Sequence, residues 1–156
     1  MNTKNSKTLS ERGQSMAELA IGMVILLILL SGVVDLGRAF SAYMALRDAA
    51  QEGAVYGSMC PVDTTKIVDR VRSASKQPIN LKDTTHVQVD CDYVVNGVAT
   101  TCDPNNVPKA GNQIRVQVSY NDFHITMPFL GTFVGTQTIN LRAGISDTIL
   151  RNLPCD

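Results

Sequence analysis

The sequence predicts an α+β fold, a long N-terminal helix packed on an antiparallel sheet of about four strands. Three observations predict it. Residues Leu19 to Val34 form a run of sixteen without a single charge. Apolar residues then keep a mostly three- and four-residue spacing to about Gly57, so the helical pattern outlasts the apolar run. Beyond Pro78 the apolar period changes to two, the spacing of half-buried strands. A sheet with one apolar face must bury it against another element, and the Ala-rich second half of the helix is the obvious candidate.

The first segment, residues 1–13, reads MNTKNSKTLSERG. It is polar and carries Lys4, Lys7 and Arg12 against one acid, Glu11. No packed structure is expected of this basic leader. The charge-free run alone would span about 24 Å as a helix, short of the roughly 30 Å of bilayer hydrocarbon. Starting at Gln14 gives 21 residues through Val34 and about 31 Å, which fits. Glu18 then lies inside the span, where an acid is costly. Basic residues ahead of the segment place the N-terminus in the cytoplasm and the remainder outside. A removable secretory signal is the competing reading. Such signals have apolar cores of 7–15 residues ending in small-x-small sites, whereas this run is longer and passes through Ser31, Gly32 and Asp35 without one. A retained anchor is the better description.

Residues 35–59 continue the helix outside the membrane. Leu36, Phe40, Tyr43, Met44, Ala50 and Ala54 provide its apolar positions, and Asp35, Arg38, Arg47, Asp48, Gln51 and Glu52 its wet ones. Gly53 and Gly57 loosen the last turns and Pro61 closes the element. Residues 60–156 hold a second helix and the sheet. Asp63 or Thr64 can cap that helix, Ile67, Val68 and Val71 supply its apolar stripe, and Lys76 and Pro78 end it. THVQVDCDYVV, then Asn96-Gly97, then VATTC reads as a hairpin, because Asn-Gly between alternating runs favours a two-residue turn. IRVQVSY puts Ile114, Val116, Val118 and Tyr120 on one face. TINLRAGISDTIL does the same with Ile139, Leu141, Ala143 and Ile145. The link between them, FHITMPFLGTFVG, is apolar and broken by Pro128, Gly131 and Gly135.

Four widely spaced cysteines behind an export-type segment favour disulfides in an oxidising compartment. Counting outward from a two-residue turn, Val95 faces Val98, Tyr93 faces Thr100 and Cys91 faces Cys102. Directly opposed residues have Cα atoms about 4.5–5.5 Å apart, within disulfide range. Cys91 and Cys102 fall at a hydrogen-bonded position, near the upper value. By elimination Cys60 and Cys155 form the second pair, tying the end of the long helix to the end of the chain.

Composition excludes several classes of function. Fourteen basic residues balance fourteen acidic ones and are spread along the chain, so no nucleic-acid footprint is present. No C-x-x-C occurs, and neither His86 nor His124 has a neighbour at metal-ligand spacing. Asp90, Asp92 and Asp103 flank the hairpin cysteines and are better explained as a solvated strand end than as calcium ligands. Gly13-Gln14-Ser15-Met16-Ala17 imitates a nucleophile elbow but follows a polar leader instead of a strand. No phosphate-binding loop, dinucleotide turn, metal set or cofactor site is present, and the reading is non-enzymatic.

The informative constellation is the basic leader, Gly13, four residues, Glu18 and the apolar helix. It resembles the processing signal of type IV pilin-like precursors, whose membrane aspartyl peptidase cuts after a glycine and leaves glutamate fifth in the mature chain. Asp35-Leu36-Gly37-Arg38 and Ala49-Ala50-Gln51-Glu52-Gly53-Ala54 narrow the match. Residues 12–57 look like the TadE-like family, which pairs a G-Q-x-x-x-E start with D-x-G-R and A-A-x-E-G-A; the strand region is similar in style only. The resemblance implies a pilin-like fold and a pseudopilin of the tight-adherence (Flp) pilus. It implies cleavage between Gly13 and Gln14, and partners comprising the prepilin peptidase, other pilins and the inner-membrane assembly platform. One departure is informative. Pilins of that system often follow the glutamate with tyrosine, whereas Leu19 stands here; with the large outer region, this points to a minor pseudopilin. Two readings compete with it: an uncleaved membrane-anchored binding module, and, with least support, a secreted enzyme.

Overall fold

The computed structural model describes residues 6–128, 131–132, 135–151 and 155, with side chains from residue 13 onward. Lys4 and the side chains of Lys7, Glu11 and Arg12 in the leader lie outside the described residues, as do four apolar residues of the link, at 129, 130, 133 and 134. By contacts the chain divides into two compact units, residues up to 37 with 125–137, and residues 38–124 with 138–156. Helix α1 is Ser6–Met59, α2 is Thr64–Ser73, and the strands are β1 Val87–Val95, β2 Val98–Thr101, β3 Gln113–His124 and β4 Thr138–Thr148. The α+β class is as expected, with an antiparallel sheet of four strands ordered β2-β1-β3-β4.

Helix α1 starts eight residues ahead of Gln14, where no structure was expected. Nothing in SKTLSER breaks a helix, and a single internal glycine at Gly13 costs only about 1 kcal/mol relative to alanine. Helix α2 ends at Ser73, short of Lys76 and Pro78. Asp63 occupies its N-cap without a side-chain cap bond; its carboxylate instead accepts from Lys66 Nζ at 3.2 Å.

In the second unit the buried face of the helix is made mostly of small residues, with Leu46 the one bulky member. Ala42, Leu46, Ala49, Ala50 and Ala54 are fully buried. A Cβ added at Gly53 would stand 2.5 Å from Val71 Cγ2 and 3.1 Å from Val116 Cγ1, and one at Gly57 2.6 Å from Ile114 Cδ1. The helix backbone therefore lies almost directly on α2 and β3. This corrects part of the apolar stripe expected from spacing: Ala50 and Ala54 are buried as expected, but its bulky members are not. Phe40 is 64% exposed and Tyr43 41%, and in the first unit Leu36 is 72% exposed. Two apolar stripes interleave on this helix, and close approach to a sheet selects the one with less bulk.

The hairpin turns at Asn96 (φ 52°) and Gly97 (φ 83°), both left-handed as a type I′ turn requires. Its register is Val95↔Val98, Val94↔Ala99, Tyr93↔Thr100 and Asp92↔Thr101. One step further the Cys102 amide donates to the Cys91 carbonyl at 2.9 Å, and the two cysteines are joined with Cα atoms 5.4 Å apart. Ile114, Val116 and Val118 are fully buried, while Tyr120 is half-buried. A bulge between Tyr120 and Phe123, with Asp122 at φ 62°, shifts the β3–β4 register and turns Phe123 inward in place of Tyr120. On β4 only Ala143 of the four expected positions is buried. It is an edge strand, so its apolar face is covered from one side only.

The C-terminal end of α1 is capped by tertiary contacts. The Leu150 amide donates to the Ser58 carbonyl at 2.9 Å and Arg151 Nε to the Met59 carbonyl at 3.0 Å. The Cys60–Cys155 disulfide, Cα atoms 5.4 Å apart, fastens the same corner. The Tyr93 hydroxyl donates to the Pro61 carbonyl at 2.7 Å from a buried position. His86 sits beside Asp83, Nδ1 to Oδ2 2.8 Å, and stacks on Tyr120. The hydrogen bond from His86 is the main reason the Asp83 carboxyl is held below its usual range.

Candidate functional site

The singled-out residues fall into three groups along α1. The first is Gly13, Gln14 and Glu18. All three are exposed, and a Cβ added at Gly13 would meet nothing within 4 Å. Gln14 and Glu18 are four apart and so share a helix face; Gln14 Nε2 donates to Glu18 Oε1 at 3.4 Å. From Met16 to Val34 the large apolar side chains are more than half exposed, Ile28 excepted. The most apolar 18-residue window of the helix has a mean hydropathy of 2.6 and is only 6% buried. An apolar helix uncovered by its own chain is long and apolar enough to serve as a single-pass membrane anchor.

The second group is Asp35, Gly37 and Arg38. Asp35 is 4% exposed, which for an acid demands partners. They come from the link: the Thr126 hydroxyl donates to Oδ1 at 2.5 Å and the Met127 amide to Oδ2 at 2.6 Å. One turn earlier, Met127 Sδ stands 3.5 Å from where a Cβ at Gly32 would be. Neither Thr126 nor Met127 was identifiable from spacing, since each lies more than ninety positions from Asp35. The only available signal was an acid at the end of an apolar run. Gly37 has open space around it. In the second unit the Arg38 guanidinium lies 5.6 Å from the centre of the Phe123 ring, a cation–π contact.

The third group is Ala50, Glu52 and Gly53. Ala50 is fully buried, Gly53 provides the close approach to Val71 and Val116, and Glu52 receives Arg70 Nη1 from α2 at 3.4 Å. Arg70 also covers the Tyr56 ring at 5.3 Å. This motif is thus the seat of α2 on α1. The pair is exposed on both sides, so the ion pair contributes little by itself; the glycine and alanines carry the packing.

The geometry therefore separates an exposed N-terminal pair from two motifs that dock other parts of the chain. No curated protein matches the chain, and no solved structure does. A family model described as TadE-like protein matches residues 13–55, a segment that begins at Gly13 and includes all three groups. Over that segment, and there alone, the chain is similar to the TadE-like family.

Proposed function

We propose that this chain is a minor pseudopilin of the tight-adherence (Flp) pilus, cut by a prepilin peptidase between Gly13 and Gln14. The observation that carries the reading is that the family match opens at Gly13, one residue before an exposed helical turn holding Gln14 and Glu18 together. The N-terminus faces the cytoplasm, α1 crosses the inner membrane and the sheet-bearing unit lies outside. Its role is structural: the helix bundles with other pilins at the assembly platform, and the outer unit makes further contacts in an adhesive pilus.

Gly13 suits the cut for two reasons. It has no Cβ to hinder the peptidase, and it weakens the helical turn that must open before the bond can be reached. Cleavage creates an ammonium at Gln14. In a bundle, a neighbour's ammonium neutralises Glu18, so both charges become tolerable in the membrane only when subunits associate. That pairing sets subunit register.

Mass spectrometry of the chain co-expressed with the peptidase tests the cut. A mature N-terminus at Gln14 is expected. A chain beginning at Met1 or Asn2 would make it an uncleaved anchored module, and one beginning beyond Val34 a secreted protein. Glu18→Gln should leave cleavage intact and lower the number of pili, read by electron microscopy. Unchanged pilus number would remove the assembly role of the charge.

A further inference from the structure

We infer that the described parts of the link between β3 and β4, residues 125–128, 131–132 and 135–137, rest in the interfacial layer of the outer leaflet, a second lipid contact beside the membrane helix. The inference depends on reading α1 as an anchor. Residues 123–141 contain no Asp, Glu, Lys or Arg: nineteen positions, three more than the charge-free run of the anchor itself. A water-facing connection has no need of so long an uncharged run, in a chain where 18% of residues are charged.

The contacts set the depth. Met127 Sδ lies over Gly32, 3.5 Å from where a Cβ would stand, inside the charge-free run, and Thr126 and the Met127 amide hold Asp35, the first charge after it. The link is thus pinned where the hydrocarbon span ends. Asp35 is a costly charge at that depth, and it is covered by two donors supplied by the link itself. Irregular backbone near lipid must have its polar groups satisfied internally. The link does this in part: the Ile125 amide donates to the Gln137 carbonyl and the Gly135 amide to the Gly131 carbonyl, each at 2.9 Å. Pro128 has no amide hydrogen to satisfy, and Pro128 and Thr132 are exposed. The occupant that fits an uncharged loop continuous with a membrane helix is the phospholipid interface.

The chain contains no tryptophan, so a single introduced one reports its own surroundings. Full-length Thr132→Trp in phosphatidylcholine–phosphatidylglycerol vesicles should be quenched several-fold more by a headgroup-proximal spin-labelled lipid than Val98→Trp, on the exposed β2 strand. It should also be protected from aqueous iodide. Iodide quenching equal to that of Val98→Trp overturns the inference. Protection from both quenchers also overturns it, because protein would then cover the link. Should Thr132→Trp misfold, the wild-type chain can be labelled with a photoactivatable phospholipid and its peptides mapped. Label in both 19–34 and 125–137 is expected. Label in 19–34 alone overturns this inference and spares the anchor; label in neither overturns both.

Discussion

Tyr93 is a buried side chain whose hydroxyl is committed to a single acceptor, the Pro61 carbonyl. Tyr93→Phe should cost about 1–2 kcal/mol, since it leaves that carbonyl without its donor; urea unfolding in detergent measures it. The same residue predicts a pH dependence. Burial, aided by the negative charge of Asp103, raises the phenol above its ordinary value of 10.0. The unfolded chain then loses its proton first as pH rises, so stability should fall from about pH 10 upward until the folded-state value is reached. Below pH 9 both states keep the proton and this group leaves stability independent of pH, and Tyr93→Phe should flatten the alkaline decline. Asp35 makes a second prediction at this scale. Asp35→Ala strands the Met127 amide and the Thr126 hydroxyl, so amide exchange at Met127 should accelerate markedly. Asp35→Asn, which keeps one oxygen acceptor, should have a smaller effect.

At the scale of elements, the packing of α1 on α2 and β3 depends on glycines in a helix. Replacing either by alanine gains about 1 kcal/mol in helix propensity, and overpacking costs typically 1–3 kcal/mol. The neighbours decide which dominates. At Gly53 the added methyl meets Val71 and Val116, branched at Cβ and stiff. At Gly57 it meets the terminal methyls of Ile114 and Ile67, which can swing aside. Gly53→Ala should therefore be destabilising by about 1–2 kcal/mol and Gly57→Ala nearly neutral. Equal losses in a urea titration would show that helix position, and not the neighbour's stiffness, controls the cost.

For the molecule as a whole, the two disulfides should differ in their contribution. Cys60–Cys155 joins residues 95 apart and Cys91–Cys102 residues 11 apart. Constraint of the unfolded chain scales with the logarithm of loop length, giving about 4–5 kcal/mol for the first and about 3 for the second. Cys60→Ser with Cys155→Ser should lower the urea midpoint more than Cys91→Ser with Cys102→Ser. The larger bridge also holds the corner where Leu150 and Arg151 cap α1, so its loss should expose the amide of Leu150 to exchange.

What the sequence determined by itself is what local physics specifies. A charge-free run behind basic residues reads as a membrane helix because hydrocarbon excludes charge. A change of apolar period from helix to strand needs only steric geometry, and Asn96-Gly97 set the hairpin register because both residues tolerate positive φ. Cys91 opposite Cys102 follows from that register. The tertiary structure decided which of two apolar stripes on α1 is buried. Spacing specifies a face but not the distance of closest approach, and only contact with Val71, Val116 and Ile114 rewards Gly53 and Gly57 over Phe40 and Tyr43. It decided the bulge that exchanged Tyr120 for Phe123, because a register shift depends on both partners. It alone brought Thr126 and Met127 to Asp35, because no periodicity links a helix to a loop ninety residues away.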